Sequence, residues 1–325
     1  MWATPAGSVG EREGSVAVPI TEVETIWMDG GLVPWKDANV HVLSHGLHYG
    51  SGVFEGIRAY ATSRGPAVWH LDGHLERMYA SAAIYHMDLP YSKDELSQAT
   101  KDVIRANALD ACYIRPIAFR GYGEMGVNPL AAPVNVAIAV WPWGAYLGED
   151  AIEQGVRVKV SSWKRHDQNS LPSAAKATGG YLGSILAKVE SVLAGYDEAI
   201  MLNDAGYVAE GSGENVFLVD RGVLVTPPTN VGALAGITRA SVIRIAQDLG
   251  IEVVERNLVR TDLYLADEVF FTGTAAELTP IREVDDRTVG AGHRGPITKQ
   301  LQDAFFAATS GQDPRYVSWL TYVND

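Results

Sequence analysis

Lys176 stands among small residues in the stretch Ser173-Ala-Ala-Lys-Ala-Thr-Gly-Gly-Tyr181. An amine in such a niche suits covalent chemistry, because removal from water favours its neutral, nucleophilic form. The plain alternative is a solvated lysine at a helix start, although a cation there opposes the helix dipole. Taken alone, the stretch leans only slightly toward chemistry. Glu210 closes a strand beside Gly-Ser-Gly, and Ala209 and Gly211 let backbone or a ligand come close to it. Gly232 and Gly236 lead into a helix over 236–250 whose start suits an anion, with Thr238 as cap or phosphate ligand. Thr272-Gly-Thr274 ends a buried strand as a second candidate anion loop. Arg77 lies on a helix flank between Glu76 and Met78, and spacing alone does not single it out.

Two other patterns point elsewhere and fail. His41 and His45 have the i, i+4 spacing of a helical zinc pair, with His48 nearby. Glycines at 46, 50 and 52 break a regular helix, and no carboxylate falls between the two, so these read as structural histidines and no metal is expected. Gly121-Tyr-Gly-Glu-Met-Gly126 matches a dinucleotide-binding fingerprint and follows a strand. The motif needs a helix to receive the pyrophosphate, whereas Pro129 and Pro133 preclude one. Tyr146 stands where a ribose-binding acid would be. A nicotinamide dehydrogenase is rejected.

These residues must be carried by elements that the pattern also predicts. Residues 1–20 read as a mobile tail. Two short strands flank Asp29-Gly-Gly, a helix runs over 72–85 with Leu75, Met78, Tyr79 and Ala82 inward, and a second helix covers Lys93 to Asn107. Strands follow at 112–119 and 134–141. The aromatic, Pro- and Gly-punctuated run at 141–148 is the best boundary, and a candidate lid over an apolar ligand. A small N-terminal unit over 21–141, a loop at 142–152 and a larger unit over 153–325 are expected. The larger unit opens with a strand over Val156–Trp163 and holds three or four antiparallel strands between 198 and 228. Leu182, Ile185, Leu186, Val189, Val192 and Leu193 recur at three- and four-residue steps, which predicts a helix packing that face on the core. A last helix starts at Pro296 and gives way to a polar end.

The bulk numbers are ordinary for a globular chain of 325 residues, with 47% hydrophobic and 20% charged residues. A formal net charge of -13 argues against nucleic acid or an anionic membrane as partner. The single cysteine, Cys112, excludes an intrachain disulfide. With no signal-peptide pattern and no run of about 20 apolar residues, a cytoplasmic enzyme is the default expectation.

Several separated motifs then carry a resemblance from about Ile26 to the end. They are His45-Gly-Leu-His-Tyr-Gly50 with Val53-Phe-Glu-Gly-Ile-Arg58, Tyr113-Ile-Arg-Pro116, Met125-Gly-Val-Asn-Pro129, Trp143-Gly-Ala-Tyr-Leu-Gly148, Ala174-Ala-Lys176, Glu210-Gly-Ser-Gly-Glu-Asn215, Leu234-Ala-Gly-Ile-Thr-Arg239 and Gly273-Thr-Ala-Ala-Glu277. In this order they resemble the fold-type IV, pyridoxal-phosphate-dependent aminotransferases, and among them the branched-chain amino-acid aminotransferases. The resemblance implies an α+β, two-domain fold. It implies pyridoxal 5'-phosphate as cofactor and transfer of the amino group of L-leucine, L-isoleucine or L-valine to 2-oxoglutarate by a ping-pong route.

By the same resemblance, Lys176 binds the cofactor covalently and then moves the proton between substrate carbon and cofactor. Glu210 pairs with the pyridine nitrogen and Tyr181 with the phenolic oxygen, while Arg77, Ile237, Thr238 and Thr274 hold the phosphate. Tyr113, Arg115 and the backbone of Thr274 and Ala275 bind substrate carboxylates. Phe54, Tyr49, Val127, Trp143, Tyr146 and Tyr181 form the apolar side-chain pocket, Tyr49 and Val127 coming from a neighbouring subunit. A homodimer at least is implied, and a trimer of dimers also fits. The family commonly has Asn where this chain has Gly180. Siblings of the same fold are the alternatives: D-amino-acid or (R)-amine transaminase, or aminodeoxychorismate lyase. More distant is a non-catalytic ligand-binding protein.

Overall fold

The computed structural model describes residues 20–325 except 145, 146, 148 and 149. The N-terminal stretch read as a mobile tail lies outside the described residues but for Ile20, and Tyr146 lies outside them too. The first half builds strands β1 Thr25–Met28, β2 Gly31–Pro34, β3 Gly52–Phe54, β4 Ile57–Thr62, β5 Gly65–Trp69, β6 Cys112–Arg120 and β7 Val134–Trp141. Asp29 and Gly30 both take positive φ, which closes the β1–β2 hairpin with the twist that flanking strands require. Helices α1 His45–Tyr49, α2 Leu71–Ile84 and α3 Lys93–Ala106 complete this half. Ser92 and Glu95 form a reciprocal cap at the start of α3, which fixes where that helix begins. Leu71, Leu75 and Met78 of α2 and Leu96, Val103 and Ile104 of α3 are buried in one cluster with Val53, Ile57 and Ile114 of the sheet.

The second half contains β8 Val156–Val160, β9 Glu198–Leu202, β10 Val208–Gly211, β11 Asn215–Asp220, β12 Val223–Thr226, β13 Val253–Glu255, β14 Glu268–Gly273, β15 Glu277–Val284 and β16 Arg287–Thr288. Its helices are α4 Ala151–Gln154, α5 Tyr181–Leu193, α6 Ile237–Asp248, α7 Arg260–Leu265 and α8 Pro296–Thr309. The sheet runs β10-β9-β8-β15-β14-β11-β12-β13, with β16 beside β15. Antiparallel pairings dominate, with parallel contacts at β8–β9, β8–β15 and β12–β13. This is the α+β architecture expected.

Three expectations need correction. The strand expected over Val156–Trp163 ends at Val160. The polar end after α8 folds into β17 Leu320–Tyr322, which pairs with β5 and gives the first sheet the order β17-β5-β4-β6-β7-β1-β2, with β3 beside β6. The last residues of the stretch expected to form one C-terminal unit thus extend the first sheet. Third, α5 turns its apolar stripe outward: Leu182, Ile185 and Leu193 are 66%, 54% and 66% exposed, and Leu186 and Val189 are exposed as well. Ser184, Ala187 and Ser191 face inward instead. Small side chains let α5 lie close on β9, where Ala187 clusters with Ala199 and Met201. Period alone cannot tell a face turned to the core from one turned outward.

The two sheets meet through a shared core. Ala67, Trp69 and Tyr322 of the first sheet are buried with Phe217 and Phe270 of the second, and with Val242 of α6 and Phe305 of α8. Among the described residues, no helix is long and apolar enough to cross a membrane.

Candidate active site

Lys176 lies in extended chain five residues before α5, held by both halves. Its backbone N–H donates to Ser81 Oγ of α2 at 3.0 Å, and its carbonyl accepts from Phe54 N at 3.0 Å. Val53 and Ala177 form an adjoining bridge. The amine donates to the Tyr181 hydroxyl at 2.6 Å. Tyr181 is placed by the tight turn Thr178–Gly180, whose Gly179 lies against Gly50. Half-buried Lys176 is therefore an oriented amine and not a solvated one.

Glu210 follows a register shift between β10 and β9 at Val208–Glu210. Such a bulge re-aims the side chain that follows it. Its carboxylate is buried and ion-paired with Arg165 at 2.7 Å. It also accepts from Leu234 N at 2.9 Å and from Asn215 Nδ2 at 3.2 Å. A carboxylate has about four acceptor sites, so one remains for a donor such as a protonated ring nitrogen. Arg165, which sequence reasoning missed, sets an opposite charge against that carboxylate. No local signal marks it, since it sits in an irregular loop between β8 and Lys176. Asn215 and Glu214 belong to a motif of the resemblance, which implied no role for either. Burial and the charge of Glu198 push Glu214 up to about 8, against the pull of Lys188.

Gly236 caps α6 because its neighbour demands it: a Cβ there would lie 1.9 Å from Asn215 Oδ1. Ile237 and Thr238 thus supply the unpaired first N–H groups of α6, with Thr238 buried. Arg77 crosses from α2 and donates to Ala235 O at 2.8 Å, just before that helix start. Glu55 holds the other edge of its guanidinium, at 2.8 and 2.7 Å.

Arg77, Lys176, Glu210, Ile237, Thr238 and Thr274 line one cavity. Tyr181 lines an adjoining cavity that shares Lys176 and Glu210. The structure thus gathers every residue expected at the cofactor. The donor set fits a phosphorylated pyridine aldehyde. It offers an amine for the aldehyde, an anion for the ring nitrogen, a phenol beside the amine, and a cation with helix N–H groups for the phosphate. Among the described residues, Thr272 Oγ1 in that cavity wall is buried without a partner, a polar atom awaiting a ligand or water.

Phe54, Tyr113, Arg115 and Trp143 join this group. The Phe54 ring lies 4.9 Å from that of Tyr181, tilted by 57°, and Arg115 lies 4.9 Å over Phe54. Arg115 donates to Tyr113 Oη at 3.1 Å, and Trp143 lies 5.0 Å from Tyr113. Tyr113 and Arg115 share a face of β6 because they are two residues apart. Ala275 follows Thr274 in the half-buried turn after β14. Tyr49 and Val127 line neither cavity; they are 49% and 89% exposed. His45 brings their segments together, with Nε2 against Gly126 O at 2.7 Å and Nδ1 against Ser51 Oγ at 2.6 Å. His48 Nε2 meets Val42 O at 2.9 Å. Both are structural histidines, and the loop from Gly121 leads into no helix.

The family model of the class IV amino-transferases matches residues 52–284. This chain belongs to the class IV aminotransferases. It is 50% identical over 298 residues to the branched-chain-amino-acid aminotransferase of Pseudomonas aeruginosa, covering 92% of this chain and 97% of that protein. The Escherichia coli branched-chain amino acid aminotransferase structure superposes with a TM-score of 0.92 at 51% identity, covering 93% of this chain and 100% of that one. The T.th. enzyme of the same name, complexed with N-(5'-phosphopyridoxyl)-L-glutamate, gives a TM-score of 0.90 at 49% identity, covering 93% and 99%.

Proposed function

We propose that this aminotransferase moves the amino group of L-leucine, L-isoleucine or L-valine to 2-oxoglutarate in two half-reactions, using pyridoxal 5'-phosphate. One observation carries the reading. A single cavity joins an oriented amine, an ion-paired carboxylate and a helix-start anion cup, beside an aromatic cluster that holds one arginine. When bound, the cofactor supplies an electron sink next to the substrate's α-carbon.

The chain's own groups do the rest. Lys176 Nζ accepts and returns the α-proton, and the Tyr181 hydroxyl fixes the approach of that amine. Glu210, ion-paired with Arg165, holds a proton on the ring nitrogen. Arg77, Ile237, Thr238 and Thr274 grip the phosphate, so the reacting atoms meet in register. Tyr113 and the Thr274–Ala275 backbone take the substrate's α-carboxylate. Phe54 and Trp143 contact an aliphatic side chain, and Arg115 receives the second carboxylate of glutamate. Its Nε is buried without a partner among the described residues, which suits an incoming carboxylate.

Tyr49 and Val127 complete the pocket of a second copy in a homodimer. The support is their exposure together with that of Leu47 and Leu130, and the exposed stripe of α5. These surfaces adjoin, since Thr178 at the entry to α5 donates to Gly50 O at 2.7 Å.

The deciding experiment is half-reaction spectroscopy of the holoenzyme with L-amino acids, D-amino acids and (R)-amines. Fast bleaching of the cofactor band by L-leucine, L-isoleucine, L-valine and L-glutamate is expected. Preference for D-amino acids or (R)-amines would overturn the substrate assignment. A colourless protein that cannot be reconstituted with the cofactor would overturn the reading altogether.

A further inference from the structure

Glu55 follows β3 and is completely buried. A carboxylate taken out of water must be paired to stay charged. Its two oxygens accept from Arg77 Nε at 2.8 Å and Arg77 Nη2 at 2.7 Å, and Oε2 also meets His74 Nδ1 at 2.7 Å. His74 and Arg77 are three apart on α2, so both reach the same carboxylate. Glu55 is anchored in turn, its N–H donating to Pro116 O at 2.8 Å. Burial alone would push its carboxyl up, but the Arg77 charge and the hydrogen bonds of Arg77 and His74 hold it at about 2. Burial lowers His74, against the pull of Glu55, so the ring is neutral and donates from Nδ1.

A two-point pair along one edge of a guanidinium fixes its plane. Arg77 has five N–H groups. Glu55 takes two and Ala235 O takes one, which leaves two for a ligand in the cavity. Neither Glu55 nor His74 lines that cavity, so their effect must pass through Arg77.

We propose that Glu55, steadied by His74, is a positioning residue that aims Arg77 at the cofactor phosphate and makes the site select phosphorylated pyridoxal over pyridoxal. The proposal rests on Arg77 as a phosphate ligand. Two consequences of removing Glu55 oppose each other. Arg77 would carry more uncompensated charge, which tightens phosphate binding. It would also swing free, which loosens it. Orientation dominates, because only two N–H groups remain and phosphate recognition by them is directional.

The test titrates the full-length apoprotein with pyridoxal 5'-phosphate and with pyridoxal, following tryptophan fluorescence and the cofactor band. The readout is the ratio of the two affinities. Glu55→Gln should lower that ratio about tenfold or more, in line with the effect of removing outer partners of metal ligands. His74→Phe should lower it several-fold, and His74→Asn, whose amide can donate from near the Nδ1 position, should restore it. An unchanged or raised ratio in Glu55→Gln overturns the proposal, as does equal weakening of both ligands. If Glu55→Gln does not fold, the His74 pair carries the test, and an unchanged ratio in His74→Phe overturns it. Arg77→Gln tests the underlying reading separately. A wild-type ratio in that variant removes Arg77 from the phosphate whatever Glu55 does.

Discussion

Gly56 should be indispensable to turnover and nearly irrelevant to cofactor binding. A Cβ at position 56 would sit 2.1 Å from Tyr113 Oη and 3.1 Å from its Cζ. Ordinary contact begins near 3.4 Å, so Gly56→Ala forces the phenol back by more than about 1 Å. The ring has little room to yield. It is 5% exposed and packed 5.1 Å from Trp141 and 5.0 Å from Trp143. Its retreat also breaks the 3.1 Å hydrogen bond from Arg115. Overpacking of this kind costs about 1–3 kcal/mol in stability. A misplacement near 1 Å in a substrate-positioning group costs on the order of 100-fold in turnover. We expect kcat/KM for leucine and glutamate to fall by roughly that factor, with the cofactor band intact. Tyr113→Phe removes the oxygen that clashes, so the nearest remaining atom is Cζ at 3.1 Å. Gly56→Ala in that background should therefore cost little beyond Tyr113→Phe alone, a strong non-additivity. Wild-type kcat/KM in Gly56→Ala, or additive losses in the double variant, would refute the steric argument.

The exposed stripe of α5 gives a second prediction: Leu186→Asp leaves the subunit folded by circular dichroism and weakens self-association in light scattering, whereas retained assembly would count against α5 as an interface. Gly180 sits at φ -68, and a Cβ there meets His166 only at 3.7 Å. Gly180→Ala should thus stabilise by about 0.4–1 kcal/mol through the unfolded chain, and a lowered thermal midpoint would contradict this. The pH dependence of stability divides between two buried carboxyls. Glu55 drops from an ordinary 4.5 to about 2, so its contribution is complete above pH 4.5 and is lost toward pH 2, about 3 kcal/mol in all. Glu214 rises from 4.5 to about 8, so the folded state binds the extra proton and stability falls as pH climbs through that interval. Glu214→Gln should flatten the slope between pH 4.5 and 8 in a thermal-melt series, and an unchanged slope would assign it elsewhere.

Helix boundaries and hairpin turns were legible because their signals are local. Ser92 and Glu95 cap α3 reciprocally, Pro296 opens α8, and Asp29-Gly30 adopts the positive φ that its turn needs. The outward face of α5 was not legible, since the same period serves a buried and an exposed apolar face. Nor was β17, whose pairing with β5 spans most of the chain. At the site, the small-residue settings of Lys176 and Glu210 gave a weak local signal, and the motif resemblance supplied Arg77. Arg165 and His74 carried no signal at all. Their importance is wholly a matter of which distant carboxylate the fold sets beside them.

That pairing explains how an acidic chain of formal charge -13 can hold an anion. Each ionised group of the cavity meets an opposite charge supplied by another segment, Arg77 from Glu55 and Glu210 from Arg165. The amine of Lys176 meets a phenol and adds no fixed anion. Glu214 would upset this balance if ionised, because it lies in the same wall as Glu210. Burial and the charge of Glu198 raise its pKa to about 8, which favours the uncharged carboxyl in that wall. Groups already paired and aimed need no reorganisation when charge develops, which is the condition under which fixed dipoles and ions accelerate proton transfer. The paired charges therefore serve geometry first, and the raised pKa of Glu214 limits the negative charge that gathers beside them.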